Sequence, residues 1–169
     1  MAFTANELSI KERILVELKR RFEVQVKGAP AADPYTLEWG TVQREPLGDQ
    51  RRKEHELAIL DRSEDPVLEI QNYHVLLDVE LEYSSQLPAG DDPSTWNANV
   101  QAQISRKLHE DIFMTEGGVD SGGDILALSV TERNSDWVVD DENDRRIEGF
   151  KNITIMFKRK IADPRDRVG

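Results

Sequence analysis

The chain has 169 residues, 38% hydrophobic and 33% charged, which suits one domain with a single core and a heavily charged exterior. A formal net charge of -11 argues against a basic groove wrapped around nucleic acid, but is compatible with a surface past which DNA slides without sticking. The absence of cysteine excludes disulfides, thiolate catalysis and Cys-based zinc sites; no apolar run nears the roughly 18–20 residues of a bilayer span and no signal-peptide layout opens the chain, so a soluble, cytoplasmically made protein is expected.

In chain order, Ser9 and Glu12 form an S-x-x-E capping box. Ile10, Ile14, Leu18 and Phe22 follow at fourfold spacing with Leu15 beside them, predicting a first amphipathic helix that ends before Gly28. Lys11, Arg13, Glu17, Lys19, Arg20 and Arg21 fall off that stripe or at its margin. Residues 28–34 read as a loop and 35–42 as a short strand, followed by a polar connection over 46–53. Residues 56–60 and 67–70 are strand-like, and Asp61, Arg62, Ser63, Glu64, Asp65 and Pro66 between them have the composition of a turn.

The clearest strand spans 73–83. Tyr73, Val75, Leu77, Val79, Leu81 and Tyr83 alternate with residues that become acidic after Leu76, so one face is predicted to be buried and the other to carry Asp78, Glu80 and Glu82. Residues 84–93 are turn formers. A second helix then starts, capped by Asp92 or Ser94 with Pro93 in its first turn, and Trp96, Val100, Ile104, Leu108 and Ile112 form its winding apolar stripe.

The segment 116–124 holds Gly117, Gly118, Gly122 and Gly123 and reads as a flexible connection. Residues 125–131 are apolar enough on both sides for a central strand, with 137–139 as an extension after a break. Residues 140–146 are a charged excursion, and 150–160 form a last strand with Ile153, Ile155 and Phe157 inward. Its basic end is expected beside the acidic face of 73–83, and 162–169 reads as a tail. The sum is an α+β fold: one mixed, largely antiparallel sheet with two main amphipathic helices on it. The ordered core is placed at about 9–161, with a flexible N-terminus, mobile loops at 28–35, 84–93 and 115–124, and a mobile tail.

Catalytic and metal motifs are missing. His55, His74 and His109 lack the spacing that puts two imidazoles on one metal, and there is no G-x-S-x-G. The run Asp140, Asp141, Glu142 and Asp144 fails as a calcium loop, because the sixth and twelfth positions hold Arg145 and Lys151. The glycine-rich segment lacks the Gly-Lys-Ser/Thr of a phosphate loop, and Asp120 and Asp124 would repel phosphate. Asp78, Glu80 and Glu82 are successive outward positions of one strand, not a pair facing across a cleft. No catalytic residue, cofactor or metal ligand is assigned. The candidate channel or interface residues are Asp78, Glu80, Glu82, Asp140, Asp141, Glu142 and Asp144, and the candidate partner-docking loop comprises Gly117, Gly118, Asp120, Gly122, Gly123 and Asp124.

The order of pieces resembles a known family. The capped helix at 9–15, the strand 57–61 before the long alternating strand, the helix with Val100, Ile104 and Leu108, the glycine-rich turn, residues 126–130 and the closing strand 153–157 are together similar to the tail terminator (tail completion, or minor tail) proteins of long-tailed bacteriophages. The likeness spans about residues 9–161 and rests on pattern and order. It implies a non-enzymatic virion protein: a ring, usually of six copies, that caps the tail tube, contacts the tube protein and a head-completion or neck protein, and lets DNA pass without sequence-specific binding. Longer polar insertions at 28–33 and 116–124 depart from the pattern. Two alternatives stay open: another neck or head-completion connector, and a small acidic ligand-binding domain or enzyme.

Overall fold

The computed structural model describes residues 9–23, 37–49, 53–68, 72–141 and 145–160. Its elements are α1 (Ile10–Glu23), β1 (Thr41–Gln43), β2 (His55–Leu68), β3 (Asn72–Gln86), α2 (Pro93–His109), β4 (Ser129–Asp140) and β5 (Arg146–Lys160). The five strands form one sheet in the order β1-β2-β3-β5-β4. Only the short β1–β2 pairing is parallel, so the sheet is mixed and largely antiparallel, as the sequence predicts.

β3 is the centre of the molecule because both of its faces and both of its edges are used. Val75, Leu77, Val79, Leu81 and Tyr83 are at most 1% exposed and face the helices. In register with them on β5 stand Phe157, Ile155 and Ile153, equally buried. Each such aliphatic side chain contributes roughly 1.5–3 kcal/mol by leaving water. β3 continues to Gln86, past the predicted end, and Ser84 and Ser85 are fully buried in it. The expected loop at 84–93 is thus shortened to 87–92.

The helices cover the face that β3 makes greasy. Ser9 Oγ accepts the N–H of Glu12 at 3.2 Å, forming the predicted cap of α1. Ile10, Ile14, Leu15 and Leu18 are fully buried and Phe22 nearly so. Asp92 caps α2 by accepting the Thr95 N–H at 3.0 Å, with Pro93 at the first position, where a missing N–H costs nothing. Val100, Ile104 and Leu108 are buried, but the helix stops at His109, so Ile112 lies beyond it and does not extend the stripe. The end of α2 is closed by the other helix: Arg21 Nη1 donates to the carbonyls of Lys107, Leu108 and Asp111 at 3.3, 3.4 and 2.9 Å.

Four expectations about strands are corrected. β2 does not break at 61–66: it runs through, absorbing the irregularity in a bulge between Asp61 and Ser63. β1 covers only Glu56–Ala58, so Pro66 sits where the far edge of β2 has no partner strand among the described residues, and its missing donor is tolerated. The strand expected over 35–42 is reduced to Thr41–Gln43, with 37–40 irregular and 35–36 outside the described residues. The strand expected at 125–131 begins at Ser129 and runs unbroken to Asp140 at the sheet edge, not its centre. Leu126 and Ala127 are apolar because they tuck into the core beneath a loop, their N–H groups donating to the Phe113 carbonyl at 3.1 and 2.9 Å. Finally, β5 does pair with β3, but its basic end lies opposite Asn72, Tyr73 and His74, not the acidic half.

Candidate functional site

Two surfaces carry the polar chemistry, and they lie on opposite sides of the sheet. The first is the face that neither helix covers. Because opposed residues of antiparallel strands share a side, Glu80 and Glu82 of β3 stand with Asn152 and Phe150 of β5 and with Asp136 of β4. Between β3, β5 and β4 this face is concave, a groove of about 290 Å³ lined by Glu80, Glu82, Asp136, Val138, Glu148 and Phe150, with Trp137 at its edge. No Lys or Arg lines it.

The acidic row on β3 is not bare. Asp78 accepts Ser63 Oγ at 2.9 Å and Thr154 Oγ1 at 2.8 Å, one from each neighbouring strand. Glu80 takes Arg62 Nη2 at 2.9 Å, and Glu82 takes the backbone N–H of Leu47 at 3.1 Å. All three side chains are half-buried, so they fasten strands together as well as colouring the surface. Of the loop acids, Asp140 ends β4 opposite Arg146, and Asp141 is exposed, 3.9 Å from Arg145 Nε. Glu142 and Asp144 lie outside the described residues.

The second surface is the segment between α2 and β4, and it is tied down. Arg13 on α1 is nine-tenths buried; its Nε and Nη2 meet the Glu116 carboxylate at 2.6 and 3.1 Å, and Nη2 also reaches Asp124 at 2.8 Å. Glu17, 2% exposed, accepts the Gly117 N–H at 3.0 Å and pairs with Arg20 at 2.6 Å. Asp111 holds the N–H groups of Phe113 and Thr115 at 3.1 and 2.9 Å. Those bonds, with help from Arg21, keep its carboxyl below the usual carboxylate value even though burial pushes it up. Gly117 and Gly118 adopt φ +87 and +113, a region side chains avoid, and a Cβ on Gly123 would lie 2.0 Å from the Glu116 carbonyl. Gly122 and Asp120 sit on the exposed rim.

The charged stripe Arg13–Glu17–Arg21 is the functional feature missed from sequence. Its i, i+4, i+8 spacing with alternating sign was visible, but solvated faces show the same pattern. We expect Arg13→Ala to loosen this segment more than the fold: roughly 1–2 kcal/mol of lost charge-assisted bonding, because Glu116 and Asp124 are themselves well exposed. Amide exchange at Gly117 should quicken at least tenfold while core strands stay protected. Unchanged exchange there would show that Arg13 does not hold the loop.

No described cluster of three His, Asp or Glu side chains is placed to hold a metal ion. His55 Nδ1 lies 2.9 Å from Ser85 Oγ, which also accepts Trp96 Nε1–H at 2.9 Å. That serine is fully buried and its hydroxyl engaged, so the pair joins β2, β3 and α2 and offers no exposed nucleophile. Burial pushes the His55 pKa down. His109 instead meets Glu132, at 2.8 Å.

A chain from the virion of a native gene transfer agent particle shares this architecture. The TM-score is 0.51 at 10% identity, over 88% of this chain and 97% of that one. At such identity the likeness is one of fold, and it extends over nearly all of the other chain. No protein-family model matches the sequence, and neither does any curated protein.

Proposed function

We propose that the protein is a structural component of a phage-type particle that assembles into a ring, of six copies if the resemblance to tail terminators holds, and closes the end of a tail tube where the head is joined. The observation that carries this is the end-to-end fold likeness to a chain of a gene transfer agent virion. Further support comes from what the buried polar groups do. Arg13, Glu17, Arg21, Ser84, Arg146 and Lys151 all serve contacts between elements of the fold, which is the economy of a scaffold. A net charge of -11 gives a polyanion nothing to adhere to in transit, and the acidic rows on β3 and at the end of β4 would face either the DNA channel or the contact between copies.

Negative-stain microscopy of the purified chain, alone and added to tail tubes that lack it, tests the reading. Rings with a central opening, or a cap seated on the tube end, are expected. A chain that stays monomeric and leaves tubes undecorated would overturn it. The second reading, a neck or head-completion connector, differs in the neighbour it binds. Capture of tube protein supports the cap, whereas capture of portal-side protein alone would move the chain to the neck.

A further inference from the structure

His55, Ser85 and Trp96 bring three elements to one point: the first residue of β2, the last residue but one of β3 and the first turn of α2. His55 and Ser85 are opposed in the β2–β3 register, and the His55 carbonyl accepts the Gly40 N–H at 2.9 Å, so the backbone behind the imidazole is fixed. The His55 and Trp96 rings lie 6.3 Å apart, inclined by 37°. The direction of the hydrogen bonds follows from what each group can do. An indole N–H donates and never accepts, so Ser85 Oγ takes the Trp96 proton at 2.9 Å. Ser85 is fully buried, and among the described residues the acceptor in reach of its own hydroxyl proton is His55 Nδ1, at 2.9 Å. The chain therefore runs from Trp96 through Ser85 to His55 and needs an imidazole whose Nδ1 is bare.

A second proton on the ring turns Nδ1 into a donor. Two donors then converge on one oxygen, and the serine proton is left buried without an acceptor, a worse arrangement than the chain it replaces. We infer that His55, Ser85 and Trp96 form an acid-released latch: with His55 neutral the start of α2 is fastened to the β2–β3 pair, and a proton on His55 unfastens Pro93–Trp96. The far end of α2 is held separately, by Arg21 on its last carbonyls and by Glu132 on Ser105 and His109. With its pKa at about 2, Glu132 is still ionised where imidazoles titrate, so acid frees one end of the helix and leaves the other anchored.

The surroundings of the ring favour its neutral form. Burial is the largest influence and lowers the pKa of His55. Glu54, its chain neighbour, works the other way, and Arg146 from β5, whose Nη2 donates to the Lys53 and Glu54 carbonyls at 2.9 Å, again lowers it. From α2 and β3 the groups that meet the ring are the uncharged Trp96 and Ser85. The folded pKa lies below the ordinary 6.5, so the opened form binds more protons; the latch is complete above about pH 6.5 and is lost as pH falls through the lowered value.

The test is solvent exchange of the Trp96 indole N–H by NMR, its resonance assigned through Trp96→Phe and its rate taken relative to the intrinsic rate at each pH. Between pH 7.5 and 5 the wild type should lose roughly tenfold in protection there, with the midpoint of the His55 ring titration, while the amides of Ser105–His109 stay protected. His55→Asn sets an amide oxygen near the place of Nδ1 and does not titrate, so its Trp96 should stay protected throughout. His74 and His109 are unchanged in both proteins, so their titration cancels. Equal loss in wild type and His55→Asn would overturn the proposal, as would a protected indole while His55 titrates, or loss at Ser105–His109 in step with Trp96. Should His55→Asn fail to fold, the wild-type midpoints decide alone: a Trp96 response that does not follow His55 sinks the latch.

Discussion

Gly149→Ala is expected to destabilise the protein by about 2–3 kcal/mol, the upper part of the range for forcing a methyl group into a packed site. A Cβ at Gly149 would stand 2.6 Å from the Asp136 carbonyl oxygen, 2.6 Å from the Tyr83 hydroxyl and 2.8 Å from its ring carbon. Neither neighbour is free to give way. Asp136 is backbone of the strand paired with β5, and the Tyr83 hydroxyl donates to Asn97 Oδ1 at 2.7 Å while accepting from Gln101 Nε2 at 2.6 Å. Burial pushes this phenol up to about 12, so it stays a donor through any physiological pH. Urea unfolding should show a lower midpoint with unchanged slope. In a Tyr83→Phe background the same substitution should cost measurably less, because one of the clashing atoms is gone. A Gly149→Ala loss under about 0.5 kcal/mol would mean that Tyr83 is not pinned as the hydrogen bonds indicate.

Glu132→Gln should cost roughly 2 kcal/mol at neutral pH, less than the 3–5 kcal/mol of breaking a fully buried pair because a quarter of the Glu132 side chain meets water. Glu132 receives Lys151 Nζ, Ser105 Oγ at 2.6 Å and His109 Nε2 at 2.8 Å, tying α2 to the β4–β5 edge pair. Lys151 is 9% exposed, so losing its carboxylate leaves an uncompensated charge against the core. Burial works to raise the Glu132 pKa, but the bonds from Lys151, Ser105 and His109 outweigh it and hold it at about 2, against an ordinary 4.5. The folded pKa is the lower one, so the stabilisation is complete above about pH 4.5 and disappears as pH falls toward 2. Melting temperature measured across that window should fall for the wild type and fall less steeply for Glu132→Gln. Parallel curves would show that this carboxylate does not carry the linkage.

How much of this was legible beforehand follows from which interactions are local. β3, α1 and α2 could be read directly, because a face buried along the whole element imprints period two or 3.6 on its own residues, and because Ser9, Asp92 and Pro93 mark helix starts chemically. β2 and β4 were misjudged because their continuity is supplied by partners. Asp61 and Glu64 are held by Lys11 at 3.0 and 2.7 Å, and Ser63 by Asp78, contacts that composition at 61–66 cannot announce. Leu126 and Ala127 looked like a central strand because burial under a loop and burial in a sheet demand the same side chains. The acidic face of β3 was readable as a row but not as a groove, since its concavity comes from Gly149, Phe150, Asp136 and Val138 on two strands that follow much later in the chain. The Arg13 clamp was hidden for the same reason: its two carboxylates lie 103 and 111 residues away.

The uneven length of β1 and β2 has one more consequence. Among the described residues β1 shields three residues of a fourteen-residue neighbour and no strand pairs with the remainder on that side, the kind of edge on which stray chains accrete into fibrils. Along that stretch stand Asp61, Arg62, Glu64, Asp65 and Pro66, a bulge that twists it and a proline that cannot donate. Residues that imitate a turn thus act as gatekeepers against pairing between copies along that edge.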